Sequence, residues 1–228
     1  MKMSKPNNQN KNDNASLVHD YGLCINSREI YLHSYIGESE DEPGVDYRMA
    51  VRFQKNLNIL NRASQEPILI HMHAIGGCWH DGMGIYDTIK FSPCQTTILC
   101  YGSVSSMSSV ILQSANIRIM LPNTEFMIHY GSMGIEANSI SVKSAVDQNE
   151  KLNKVMLDIY ANSCYGSQKF DEYKIDKIKR FLDNKMRQKQ EFYLNSRECV
   201  EYGFADAVLG DEDYETIQSI LPTKCIQN

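Results

Sequence analysis

Three β-rich runs, Glu29–Ile36, Pro67–His73 and Thr97–Tyr101, alternate with stretches whose apolar residues recur at helical intervals. Strands separated by helical crossovers pair in parallel, so this alternation implies an α/β domain with a largely parallel sheet. Between Val45 and Ala63 the positions Met49, Ala50, Phe53, Leu57 and Leu60 share one helical face. A second helix is expected over residues 80–90, with Met83, Tyr86 and Ile89 inward and Pro93 closing it. A third runs from Met107 to Ala115. Two short strands follow, Ile117–Leu121 and Glu125–His129, split by the turn Pro122-Asn123.

The second half of the chain reads differently. Gly131 to Gly134 is a loop, and Ser139–Cys164 is one long helix with Val142, Ala145, Val146, Leu152, Val155, Met156 and Ile159 at helical intervals, ended by Gly166. Residues 168–190 are densely charged, with a thin apolar stripe of Tyr173, Ile178, Phe181, Leu182 and Met186, as in an exposed helix or helical pair. A last helix begins near Asn195, where Glu198 stands at capping-box spacing and Gly203 suits the C-terminal end. Gly37 to Gly44 is an acidic turn. Residues 1–16, rich in Asn, Lys, Ser and Gln without periodicity, are expected to be a disordered tail, leaving 17–228 as a single domain.

Composition excludes some function classes. A chain of 228 residues with 42% hydrophobic and 22% charged residues is an ordinary globular protein, and its net charge of −5 argues against a general nucleic-acid binder. No run approaches a membrane span, and the N-terminus lacks the apolar core of a secretory signal. The seven cysteines are scattered, with no CxxC, which suits reduced thiols and a cytoplasmic location.

The stretch Gly102-Ser103-Val104-Ser105-Ser106-Met107 follows a strand and opens a helix, so it can present a hydroxyl at a tight turn. The bland alternative is a serine-rich helix start that caps backbone N–H groups. On residues alone Ser105 and Ser108 stay open beside Ser106. A hydroxyl nucleophile needs a base, an orienting group and donors for the oxyanion. His129, at a strand end before a glycine loop, is the candidate base, unless it is merely a strand-end histidine bonded to backbone. Gly76-Gly77 follows a strand and can bring an N–H close to a carbonyl, or form an ordinary tight turn. His71, His73, Cys78 and His80 are zinc-compatible types, but their spacing matches no standard structural zinc pattern, and partly buried histidines are the preferred reading.

Taken in order, Gly76-Gly77, Gly82-Met83-Gly84-Ile85-Tyr86-Asp87-Thr88-Ile89, Gly102-Ser103-Val104-Ser105-Ser106-Met107 and Leu121-Pro122-Asn123-Thr124-Glu125-Phe126-Met127-Ile128-His129 resemble the proteolytic subunit of the Clp proteases. The resemblance spans about residues 28–210. It implies the α/β superhelix of β-β-α units shared by the Clp protease and crotonase group, with a protruding handle over about 131–190. It also implies a serine endopeptidase acting on unfolded polypeptides, with Ser106 as nucleophile, His129 as general base and the backbone amides of Gly77 and Met107 as oxyanion hole. Counting back from Gly203 places Glu191 where the family has its triad aspartate, with Asp183 as the fallback acid. Hydrolase triads use both acid types.

Several positions depart from the family pattern. Ile75 replaces the proline before the glycine pair, Tyr130-Gly131 follows the base, and Lys189-Gln190 stands where the family has a ring-linking Asp-Arg pair. The spacing from His129 to Glu191 is also longer, through an added charged segment between about Tyr165 and Lys189. The resemblance implies a homo-oligomeric ring, heptameric as a candidate number, served by a separate AAA+ unfoldase, with no nucleic acid and no membrane as partners. No metal or organic cofactor is implied, and with no Walker motif in the chain any ATP use would belong to the partner. Two other classes stay in view: a catalytically silent subunit of a mixed ring, and a crotonase-like acyl-CoA enzyme.

Overall fold

A computed structural model of the chain describes residues 9–33 and 44–221. The acidic turn and the far end of the first expected strand lie outside the described residues. Helix α1 covers Gln9–Tyr21, so helical structure begins within the segment whose composition suggested a tail.

The frame is an eight-stranded sheet. Strand β1 (Leu23–Cys24) lies antiparallel on β2 (Glu29–His33), and β2 pairs in parallel with β3 (Ile68–Ala74). Next come β4 (Thr96–Ser105), β5 (Ile117–Met120) and, at the far edge, β8 (Ala207–Val208), all parallel. Helix α2 (Tyr47–Ala63) follows β2, and α3 (Trp79–Lys90) follows β3. Asp46 caps α2 through its side chain, which accepts from the Met49 amide at 2.8 Å. Ala50, Phe53, Leu57 and Leu60 of α2 are buried, the stripe read from the sequence. In α3 the buried side is Gly82, Ile85 and Ile89, with Met83 and Tyr86 partly buried beside it.

Strand β4 is longer than its apolar run. It continues through Gly102 to Ser105, because its second half finds a new partner. Thr97–Cys100 pair with β5, whereas Ser103–Ser105 pair with β6 (Glu125–His129). Gly102 makes this possible in the left-handed region at φ 49°, where a Cβ would meet the His73 ring at 3.0 Å. The turn therefore falls at Ser106 rather than at the glycine, and α4 (Met107–Leu112) begins directly after it, ending before Ala115.

Helix α5 (Ser139–Cys164) has the bounds its periodicity indicates, but only Met156, Tyr160, Ala161 and Cys164 are buried. At 1.5 Å per residue it is about 39 Å long. Its first half leaves the body with Ile140 81% exposed, so Val142, Ala145 and Val146 are not core. A single 3₁₀ turn (Gln168–Phe170) leads to α6 (Ile175–Lys189), which buries Ile178, Leu182 and Met186. Strand β7 (Glu191–Asn195), not anticipated from the sequence, pairs antiparallel with β6. It hands over to α7 (Ser196–Tyr202), where Asn195 and Glu198 form the expected capping box and Gly203 adopts φ 87°. The short helix α8 (Ile217–Ile220) closes the described chain.

The main core lies between the sheet and helices α2 to α7. A smaller cluster, Leu69, Leu99 and Ile119, faces the other way and is covered by Leu209, Tyr214, Ile217, Ile220 and Leu221. Among the described residues no helix is long and apolar enough to cross a membrane.

Candidate active site

Ser106 stands where β4 breaks into α4, at φ 54° and ψ −125°. A non-glycine residue in that region is strained by about 1–3 kcal/mol and persists only where its surroundings dictate it. Here the surroundings are specific. The Ser106 amide donates to the Met127 carbonyl at 2.9 Å, which ties the elbow to β6. The Ser106 carbonyl accepts from the Ser109 amide at 3.0 Å and from Ser109 Oγ at 2.5 Å. Ser109 Oγ is in turn 2.7 Å from the hydroxyl of Tyr160, which is fully buried on α5. The handle helix thus braces the elbow from behind. Burial pushes the Tyr160 phenol up, so it stays neutral in this role.

The glycine pair meets the elbow from the front. Gly76 sits at φ 99°, and a Cβ there would lie 2.6 Å from Ser106 Cβ and 2.9 Å from the Met107 nitrogen. Gly76 thus lies directly against the elbow, with no room for a side chain between them. Gly77 is held by a parallel bridge to Val45, in which the Val45 amide donates to the Gly76 carbonyl at 2.6 Å and the Cys78 amide to the Val45 carbonyl at 2.7 Å. Neither the Gly77 nor the Met107 amide enters any loop or turn hydrogen bond among the described residues. Met107 is the first residue of α4, where amides lack an intrahelical acceptor.

His129 ends β6, and its Nε2 lies 2.7 Å from Ser106 Oγ. Of the serines left open by the sequence, Ser105 instead bonds Ser103 Oγ at 2.9 Å, and Ser108 is buried with no partner for its hydroxyl among the described residues. Only Ser106 of the three reaches the imidazole. Ser106, Met107, Gly77 and His129 line one cavity of about 230 Å³ together with Trp79, Val110, Leu152 and Met156, an apolar wall. With Oγ donating to Nε2, the ring proton sits on Nδ1.

Nδ1 has no hydrogen-bond partner among the described residues. Glu191 is directly opposite His129 in the β6–β7 register, which sets both side chains on one face of the sheet. Its carboxylate, however, accepts from the Tyr193 hydroxyl at 2.8 Å. Asp183, the fallback, accepts from the Tyr130 hydroxyl and from Arg187 Nε at 2.8 Å. That carboxylate pushes the Tyr130 phenol up, after burial as the larger cause. Serine and histidine are therefore brought together, and neither acid is joined to them.

Of the zinc-compatible histidines, His71 is bonded elsewhere. His71 is buried, with Nε2 2.7 Å from Glu29 Oε2 and Nδ1 2.7 Å from the Tyr101 hydroxyl. His73 and His80 are exposed. Among the described residues no group of three or more His, Cys, Asp or Glu side chains is arranged to hold a metal ion.

Sequence reasoning did not find Ser109, Tyr160 and Tyr193. Tyr160 carries no local signal, since it meets Ser109 only when α5 folds back. Tyr193 shares a face with Glu191 only once residues 191–195 are a strand, and that strand exists only through its pairing with β6.

Comparison with known proteins agrees with this architecture. The family model described as Clp protease matches residues 17–212. The ATP-dependent Clp protease proteolytic subunit of Deinococcus radiodurans is 27% identical over 168 residues, covering 72% of this chain and 76% of that protein. The ATP-dependent Clp protease proteolytic subunit 2 of Pseudomonas aeruginosa is 28% identical over 175 residues, covering 74% and 79%. Among solved structures, a point mutant of ClpP1 from Listeria monocytogenes superposes with a TM-score of 0.66 at 20% identity, covering 88% of this chain and 99% of that one. The chain belongs to the Clp protease family, and its low identity to these relatives marks it as a divergent member.

Proposed function

We propose that this protein is the proteolytic subunit of a Clp-type protease and works as a serine endopeptidase. The contact between Ser106 Oγ and His129 Nε2 at 2.7 Å, on an elbow held in the left-handed region, carries this reading. Ser106 Oγ attacks the peptide carbonyl while His129 Nε2 takes its proton. The Gly77 and Met107 amides donate to the developing oxyanion, and one such donor is worth on the order of a hundredfold in rate. His129 then returns the proton to the leaving amine, and water repeats the sequence on the acyl-enzyme. Glu191 is the group placed to orient the imidazole once its carboxylate turns to Nδ1. The apolar wall of Trp79, Val110, Leu152 and Met156 suits an extended, unfolded chain.

Family membership supports the rest of the proposal. The subunits form a homo-oligomeric ring fed with polypeptide by a Clp ATPase, in the cytoplasm. The exposed apolar residues Met133, Ile135 and Ile140 of the handle are free for contact with other subunits.

A fluorophosphonate probe tests the chemistry. Wild type is expected to label at one serine, and Ser106→Ala and His129→Ala to lose the label together with peptidase activity, by on the order of 10⁴-fold or more. Assembled wild-type protein that takes no label would overturn the peptidase reading in favour of a silent structural subunit.

A further inference from the structure

The orienting acid and the base are already in register, yet they are not bonded. Glu191 faces His129 across the β6–β7 ladder, an arrangement that brings Cβ atoms to about 4.5–5.5 Å. The register leaves the carboxylate within side-chain reach of the imidazole. The carboxylate accepts instead from the hydroxyl of Tyr193, two residues on along β7 and on the same face, at 2.8 Å on Oε2. The segment leading to Glu191 is itself constrained. Gln190 adopts φ 61° and ψ −56°, a left-handed conformation unusual for its type, with its amide bonded to the Met186 carbonyl at 2.9 Å. The backbone that presents Glu191 is thus pinned at the end of α6, which leaves the side-chain torsions as the free variable.

We propose that Tyr193 is a latch that holds the triad acid Glu191 off His129 in the resting subunit. This rests on the reading of Ser106 and His129 given above. Tyr193 acts on the base through Glu191 and is a positioning residue. The latch lies at an open cleft of about 550 Å³ lined by His129, Tyr130, Arg187, Lys189, Gln190 and Glu191. Of the charged groups there, Arg187 is committed to Asp183, and Lys189 is exposed. Glu125, opposite Asn195 at the far end of the β6–β7 ladder, adds negative charge near the phenol. The bond it donates to the Glu191 carboxylate holds the Tyr193 phenol above its ordinary range, so the latch keeps its proton throughout neutral pH. Because the cleft opens to solvent, any contact that takes the Tyr193 hydroxyl away from Glu191 frees the acid.

Tyr193→Phe removes the hydroxyl and keeps the ring. The full chain is labelled with ¹³C at histidine, His129 is assigned with His129→Gln, and its titration is followed by NMR in wild type, Tyr193→Phe, Glu191→Gln and Tyr193→Phe/Glu191→Gln. A carboxylate on Nδ1 stabilises the imidazolium, so the His129 midpoint moves to higher pH in Tyr193→Phe than in wild type, whereas Tyr193→Phe/Glu191→Gln coincides with Glu191→Gln alone. The rate of fluorophosphonate labelling at Ser106, measured against pH, rises about threefold or more on its plateau in Tyr193→Phe, with its acid limb displaced in the same direction. An unmoved His129 midpoint in Tyr193→Phe, or a shift that persists in the double variant relative to Glu191→Gln, overturns the latch. A wild type and a Tyr193→Phe variant that both fail to label overturn the reading of Ser106 instead, and the titration still decides the latch.

Discussion

Ser106 adopts a backbone conformation that a serine does not choose for itself, and each neighbour that enforces it can be tested singly. Gly76 is the most sensitive of them. In Gly76→Ala the new methyl would lie 2.6 Å from Ser106 Cβ, at a backbone φ of 99° that alanine resists. We expect about 1–3 kcal/mol of lost stability in urea titrations and a fall in labelling of Ser106 of tenfold or more. Glu29 supplies a residue-scale test away from the site. Burial works against its charge, but hydrogen bonds from His71 and Ser27 outweigh it, and the carboxyl is held below its ordinary 4.5. A lowered acid pKa contributes stability that is complete above 4.5 and is lost as pH falls through the folded value. Glu29→Gln should therefore be less stable than wild type at pH 7, with the gap closing below pH 4.5 in urea titrations run as a pH series.

At the scale of elements, the site is made by β4 changing partners. Its first half pairs with β5 and its second with β6, and the crevice between those partners is where Ser106 and His129 meet. The apolar run Thr97–Tyr101 revealed the strand but not its extension, because Gly102 and Ser103 have no intrinsic β preference. Only the ladder with β6 makes them a strand. The cap of α7 was legible in full, since a capping box depends on residues three apart. Strand β7 was not, because its existence depends on β6, more than sixty residues upstream in the chain. Helix α5 was legible in its bounds and not in its burial, since periodicity does not say whether a partner is present. What α5 does contribute is Tyr160. Tyr160→Phe removes one buried hydrogen bond to Ser109, and we expect a loss of about 1 kcal/mol in stability with slower labelling at Ser106, because the brace behind the elbow carbonyl is weakened.

For the whole molecule, the sheet has two differently covered faces. The main core belongs to the helices, whereas Leu69, Leu99 and Ile119 rely on residues after β8. Truncation after Asp211 removes Tyr214, Ile217, Ile220 and Leu221 from that face. It should cost on the order of 2–4 kcal/mol and produce binding of an apolar fluorescent dye that the full chain lacks. The exposed handle offers a test of the proposed ring. Ile140 is 81% exposed at the start of α5, and in Ile140→Asp we expect sedimentation to show smaller particles than wild type while the subunit keeps its melting temperature. The alternation of strands and helices was enough, from the sequence alone, to name the α/β class, and the order of motifs from Gly76 to His129 to name the family; Ser106 stood out beside Ser105 and Ser108 only through that resemblance, and its contact with His129 belongs to the fold. Composition alone placed a tail over residues 1–16, and helix α1 begins at Gln9. The acid was beyond the reach of sequence. Counting placed Glu191 at the family's acid position and the β6–β7 register sets it opposite the base, but whether its carboxylate meets His129 or Tyr193 is decided by side-chain torsions on one face of a hairpin-like ladder, and those depend on contacts that exist only after β6 and β7 have paired.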